Sequence, residues 1–124
     1  MRRIVVPAML VLGSAALAAA CGSGSESTTG PDTDLDGAAL YSANCAACHG
    51  ADLGGTDRGP SHLSIVYEPG HHSDDAFRAA ISNGATQHHW DFGPMPPVDG
   101  LTDDEVDAVI DFVRTEQERQ GFER

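Results

Sequence analysis

Residues 45–49 read Cys-Ala-Ala-Cys-His, and this pentapeptide constrains the chain more than any other feature. Two thiols and an imidazole fall within five residues, in a chain that keeps only one other cysteine, Cys21. Such a cluster implies a bound group or a cross-link at that point. A disulfide or a C-x-x-C redox pair would use the two sulfurs alone. His49 counts against both, because an imidazole directly after the second cysteine is needed only if something binds on that face. Zinc would require two further ligands at suitable spacing.

A covalently attached haem uses all three side chains. Cys45 and Cys48 would form thioethers with the two vinyl groups, and His49 would bind the iron. Thioethers do not dissociate as free ligands do, so they suit a small domain holding a flat apolar cofactor. The expected cofactor is one haem c per chain.

Residues 1–20 stand apart from any fold. Arg2 and Arg3 precede seventeen uncharged residues, Ile4 to Ala20, ending in small side chains before Cys21. This reads as a secretory signal peptide, and the span is also just long enough for a retained membrane anchor. Ala18-Ala19-Ala20-Cys21 resembles a bacterial lipoprotein processing site, with Ala18 where leucine is usual and Leu17 one place too early. Cleavage there would leave an acylated Cys21 as the new N-terminus. With Cys45 and Cys48 spent on haem, an unmodified Cys21 would be an odd thiol in an exported protein. The expected location is therefore outside the cytoplasm, at a membrane surface facing the periplasm or cell exterior. Residues 21–36 continue as a Gly/Ser-rich tether with an acidic end and no apolar periodicity.

Seven arginines and no lysine against nineteen carboxylates give a formal charge of −12, and loss of Arg2 and Arg3 with the signal takes it to −14. A chain of that sign repels phosphate, which excludes nucleic acid as a partner. It suits a redox protein with a basic docking face, or serves only solvation.

The folding part, residues 37–120, is short for an apolar core built from its own side chains, and residues 121–124 read as a tail. Haem would complete that core. Three helices are expected. The first covers residues 37–47 and delivers the C-x-x-C-H segment at its end. The second covers 73–83, with Ser73 as N-cap, Asp74 and Asp75 in the first turn, Phe77, Ala80 and Ile81 on one face, and Asn83-Gly84 as its stop. The third covers 102–117, opened by a Thr102/Glu105 capping box, with Val106, Val109, Ile110 and Val113 at helical spacing. No run alternates long enough for a sheet. The 24 residues between His49 and Asp74 read as a loop, long for a compact domain unless it wraps a ligand.

Gly37-x-x-x-Tyr41-x-x-x-Cys45-x-x-Cys48-His49, then Gly59-Pro60, Met95-Pro96-Pro97 and a last helix carrying Phe112 together resemble the class I cytochrome c family, nearest to small single-haem domains of bacterial respiratory chains. The resemblance implies an all-α cytochrome c-type fold, three or more helices wrapped around one covalent haem. It implies that His49 is the proximal iron ligand and that its second ring nitrogen donates to the carbonyl of Pro60. The alternative for Pro60 is an ordinary turn proline.

Met95 is the expected sixth ligand, since Met1 and Met9 leave with the signal and a soft thioether favours ferrous iron. Pro94, Pro96 and Pro97 hold its flanks extended. His62, His71, His72, His88 and His89 are the other available ligands, and read instead as solvated loop residues. Trp90, with Phe92, is expected to screen the haem or its propionates, or to anchor the loop. Gly37 would let the first and last helices cross closely, with Tyr41 and Phe112 packing beside the contact.

With both axial positions filled by protein, no iron site is open to substrate, so no catalytic residue is assigned. The expectation is a monomeric one-electron carrier of a bacterial respiratory or other extracytoplasmic chain. One alternative is a peroxidase-like haem enzyme or ligand sensor whose sixth ligand is displaceable, with His88 and His89 on the distal side; another is a structural or metal-binding lipoprotein using the two His-His pairs, which would leave Cys45-Ala-Ala-Cys48-His49 unexplained.

Overall fold

A computed structural model describes residues 35–122. The expected signal peptide, Cys21 and most of the tether lie outside the described residues. The chain runs through α1 (Gly37–Asn44), α2 (Ala46–His49), a 3-10 turn (Ile65–Tyr67), α3 (Asp74–Asn83) and α4 (Asp103–Arg119). Among the described residues there is no strand; Ala85 and Met95 form an isolated antiparallel bridge. None of the described helices is long and apolar enough to cross a membrane.

Helix α1 starts where Asp36 Oδ1 accepts from the Ala39 N–H at 2.9 Å, an N-cap that satisfies one orphan donor. The single helix expected over 37–47 is instead two. Cys45 departs from helical geometry at φ −117°, which separates α1 from α2. The hydrogen-bond ladder nevertheless crosses the break, with Cys45 N–H to Tyr41 O at 2.8 Å and His49 N–H to Cys45 O at 2.9 Å. Cys48 and His49 therefore ride on a short turn of their own that stays hydrogen-bonded to the end of α1.

Helix α4 is the scaffold. Its capping box is complete: Glu105 N–H reaches Thr102 Oγ1 at 3.3 Å, and Thr102 N–H returns to Glu105 Oε2 at 2.8 Å. Val106, Val109, Ile110 and Val113 are all buried, and Phe112 flanks them half-exposed. Helix α1 crosses this face at Gly37. A Cβ there would sit 2.1 Å from the Ala108 carbonyl oxygen, so only glycine permits this approach. Tyr41, 1 % exposed, then packs its ring on Phe112 at 5.4 Å between centroids.

Helix α3 opens at the Ser73 N-cap and buries Phe77 and Ile81. On the outside, Arg78 pairs with Asp107 of α4. Gly84 ends α3 at φ +76°, in a conformation that L side chains rarely adopt, and a Cβ there would meet the Met95 carbonyl at 2.6 Å. The chain then returns so that Ala85 and Met95 exchange both backbone bonds, at 3.0 and 2.9 Å.

Beyond Val113 the buried face of α4 turns polar, with Arg114 at 2 % and Gln117 at 1 % exposure. The Arg114 guanidinium donates to Asp74 Oδ1 at 2.7 Å, to Tyr67 O at 2.8 Å, to Gln117 Oε1 at 2.7 Å and to His72 O. It also lies over the Phe77 ring, 4.7 Å from its centroid. Gln117 adds a bond from Nε2 to His62 O at 2.7 Å. These two side chains tie the long 50–73 segment to α4, and every buried side-chain nitrogen or oxygen among the described residues has a partner.

Candidate haem site

The six residues singled out from the sequence, Cys45, Cys48, His49, Pro60, Trp90 and Met95, all line one cleft. Its remaining lining is largely apolar and includes Phe77, Ile81, Val109 and Val113. Four segments far apart in sequence thus meet there: the α1–α2 junction, the Pro60 loop, α3 with its return loop, and the middle of α4.

His49 is buried, 7 % exposed, and its Nδ1 lies 2.9 Å from the Pro60 carbonyl oxygen. A carbonyl only accepts, so Nδ1 carries the proton and Nε2 carries the lone pair when the ring is neutral. Burial holds the imidazole pKa below its ordinary value, and the Pro60 bond opposes that shift. The loop that presents Pro60 is itself held to α2: Thr56 Oγ1 donates to Cys48 O at 2.6 Å, and the Arg58 guanidinium donates to Ala47 O.

Cys45 is buried and Cys48 half-buried, and no disulfide joins them. As a free thiol, Cys45 is pushed up to about 11, by burial first and by Cys48 second. The attacking thiol of a redox-active C-x-x-C pair needs the opposite shift, toward thiolate at neutral pH, so burial of Cys45 works against that role for it. Zinc at the cysteines loses ground too: among the described residues, the side chains grouped closely enough to hold a metal ion are His71, His72 and His89, which leaves the cysteines out.

Met95 is half-buried, with its backbone held by the pair it makes with Ala85. Trp90 stacks on Tyr67, 5.7 Å between centroids and 22° between planes, while Phe92 is 40 % exposed at the cleft.

His62 is no solvated loop residue: it is 9 % exposed, lies face to face on His49 and sits 3.3 Å from the Tyr41 hydroxyl. Burial, with His49 and Arg114 nearby, holds its pKa well below the ordinary imidazole value. The one sequence signal for it is proximity: a loop that brings the Pro60 carbonyl to His49 must carry residue 62 past the same ring. His72 is half-buried, whereas His71, His88 and His89 are exposed as expected. His72, His88 and His89 also line the cleft.

An all-helical domain that gathers C-x-x-C-H, a buried and oriented imidazole and a thioether around an apolar cleft is of the haem-attaching, electron-transferring class. The Cytochrome c family matches residues 35–117, two thirds of the chain, and the chain belongs to that family. Neither a curated protein nor a solved structure matches it. Membership implies a covalent c-type haem, attached at the Cys45/Cys48 motif, and a haem-based electron carrier that interacts with redox partners. The residues present fit that group: two sulfurs and an imidazole open onto the same apolar cleft.

Proposed function

We propose that this chain is a one-electron carrier of a bacterial respiratory or other extracytoplasmic electron-transfer chain, with His49 and Met95 as the two axial ligands of its haem c. The observation that carries this reading is the 2.9 Å bond from His49 Nδ1 to the Pro60 carbonyl, in a cleft that Met95 also lines. That bond fixes both the tautomer and the orientation of the ring, as metal-ligating imidazoles require.

Haem c supplies a reversible one-electron iron couple when bound. The chain supplies the setting. Cys45 and Cys48 make attachment permanent, His49 offers the Nε2 lone pair, and Met95 offers a soft sulfur that favours the reduced metal. Phe77, Ile81, Val109 and Val113 keep water from the buried side, which also favours the less charged state. His72 and His88 are poor rivals to Met95, because the Nε2 of each is directed at the other histidine, 3.3 Å away. A site closed on both faces transfers electrons and leaves no iron position for substrate, so the chain acts as a carrier rather than an enzyme.

We read the chain as exported and anchored through an acylated Cys21, which mass spectrometry of the mature N-terminus would detect. Its acidity suits a basic docking face on the partner, so partner oxidation is expected to slow as salt rises.

The test of the ligand set is spectroscopic. The ferric protein is expected to show the weak near-infrared band of sulfur-to-iron charge transfer, and the ferrous protein to resist carbon monoxide without denaturant. Ready carbon monoxide binding, or absence of the band, would overturn the His49/Met95 assignment.

A further inference from the structure

Two histidine pairs take no part in iron ligation as proposed, with His72, His88 and His89 at the wall of the cleft and His71 outside it. His71-His72 directly precedes the α3 N-cap, and His88-His89 lies in the loop that returns from α3 to Met95. The turn at Gly84 and the Ala85–Met95 pairing fold this loop back, and all four rings converge. Centroids are 4.8 Å apart for His71 and His72, 4.3 Å for His88 and His89, and 5.2 Å for His71 and His89.

The nitrogen positions say more than the ring contacts. His72 Nδ1 is 2.6 Å from Val66 O, and His88 Nδ1 is 2.8 Å from Thr86 O. Carbonyls only accept, so both Nδ1 atoms carry the proton, and in the neutral rings both Nε2 atoms are bare lone pairs. Those two Nε2 atoms face each other at 3.3 Å. Two acceptors in that position repel unless a cation lies between them. His71 Nε2 and His89 Nε2 are likewise 3.3 Å apart. The edge of a tetrahedron with metal–nitrogen bonds of 2.0–2.1 Å is about 3.3–3.4 Å.

The donor set is specific as well. One ligand atom each from His71, His72 and His89 lies within 4.8 Å of the others, and His88 joins through its 3.3 Å approach to His72. Imidazoles without a carboxylate suit zinc, copper or nickel and are poor ligands for magnesium or calcium. The backbone bonds of His72 and His88 are the outer-shell contacts that orient metal-binding imidazoles. A chain of formal charge −12 adds a field that concentrates cations.

We propose that His71, His72, His88 and His89 form a binding site for one first-row divalent transition cation, with Zn2+ favoured because two of the nitrogen pairs stand at the edge length of its tetrahedron. The cation clasps the segment before α3 to the loop that carries Met95. The site goes beyond electron transfer and stands whether or not Met95 ligates iron.

The test uses the haem-loaded full chain stripped by a chelator, titrated with zinc sulfate and then copper chloride in a calorimeter, with the haem spectrum recorded throughout. One equivalent is expected to bind and the haem spectrum to stay unchanged. His71→Gln should weaken binding by at least about 10-fold, since even loss of an outer-shell contact costs that much. His71 is exposed and lies outside the lining of the haem cleft, so haem content and helicity should match the parent. Binding well below one equivalent for both metals, or binding undiminished in the variant, would overturn the site; it would then hold only a shared proton. A bis-histidine haem spectrum that changes in His88→Gln or His89→Gln would overturn it too, by putting one of these imidazoles on iron. Stoichiometric zinc in a protein without the sulfur–iron band would leave this site standing and remove Met95 instead.

Discussion

The imidazole of His62 lies flat on that of His49, with 4.0 Å between centroids and 20° between planes. One ring is held at Nδ1 by the Pro60 carbonyl and the other is buried against it, with Tyr41 and Gln117 holding its edge and backbone. A neutral histidine in this position packs as an aromatic and carries no charge toward the site.

That burial has a pH signature. Because the folded pKa of His62 lies well below 6.5, the unfolded state binds more protons as pH falls through 6.5. The stability is therefore fully present above that value and is lost progressively below it, down to the folded pKa. We expect the melting temperature to start falling near pH 6.5. His62→Leu should flatten that slope. An unchanged slope in the variant would assign it to other groups.

Replacing Met95 by alanine is expected to leave the haem covalently attached, to abolish the sulfur–iron band and to lower the reduction potential. The drop should be on the order of 0.1 V, a fraction of the roughly 0.8 V that axial ligands span. Potentiometry with the near-infrared spectrum checks it, and an unaltered potential would remove Met95 from the iron.

Arg114→Met keeps much of the volume but leaves the Tyr67 and His72 carbonyls without their charged donor. The expected loss is about 2–4 kcal/mol, the scale of hydrogen bonds to charged groups within a buried network. Denaturant unfolding measures it. A loss under about 0.5 kcal/mol, the scale of ordinary surface substitutions, would mean the loop is held elsewhere.

Gly37→Ala places a methyl where the Ala108 carbonyl now lies, so α1 and α4 must separate. We expect about 1–3 kcal/mol of destabilisation by overpacking, with haem still attached. Thermal unfolding of the variant against the parent is the measurement, and no change in melting temperature would show that the crossing is loose.

Helices α3 and α4 are legible in the sequence because their signals are local. Ser73 caps α3 from three residues before Ala76, and Thr102 and Glu105 are reciprocal within one turn, so neither depends on the rest of the fold. The C-x-x-C-H pentapeptide is local in the same sense, and it alone named the cofactor. The close crossing at Gly37 was readable too, through the missing side chain and the aromatics at Tyr41 and Phe112.

Other features depend on partners far along the chain. Arg114 and Gln117 continue the helical spacing of Ile110 and Val113, but such polar side chains stay buried because backbone carbonyls 42 to 55 residues away supply their hydrogen bonds. The break at Cys45 carries no glycine or proline to announce it. His62 reads as a polar loop residue until the fold stacks it on His49. The two histidine pairs, sixteen to eighteen residues apart, meet only because α3 and its return loop bring their ends together. Capping and periodicity act over one or two turns and are written into the chain; burial and facing lone pairs belong to segments that meet only once the tertiary fold has closed.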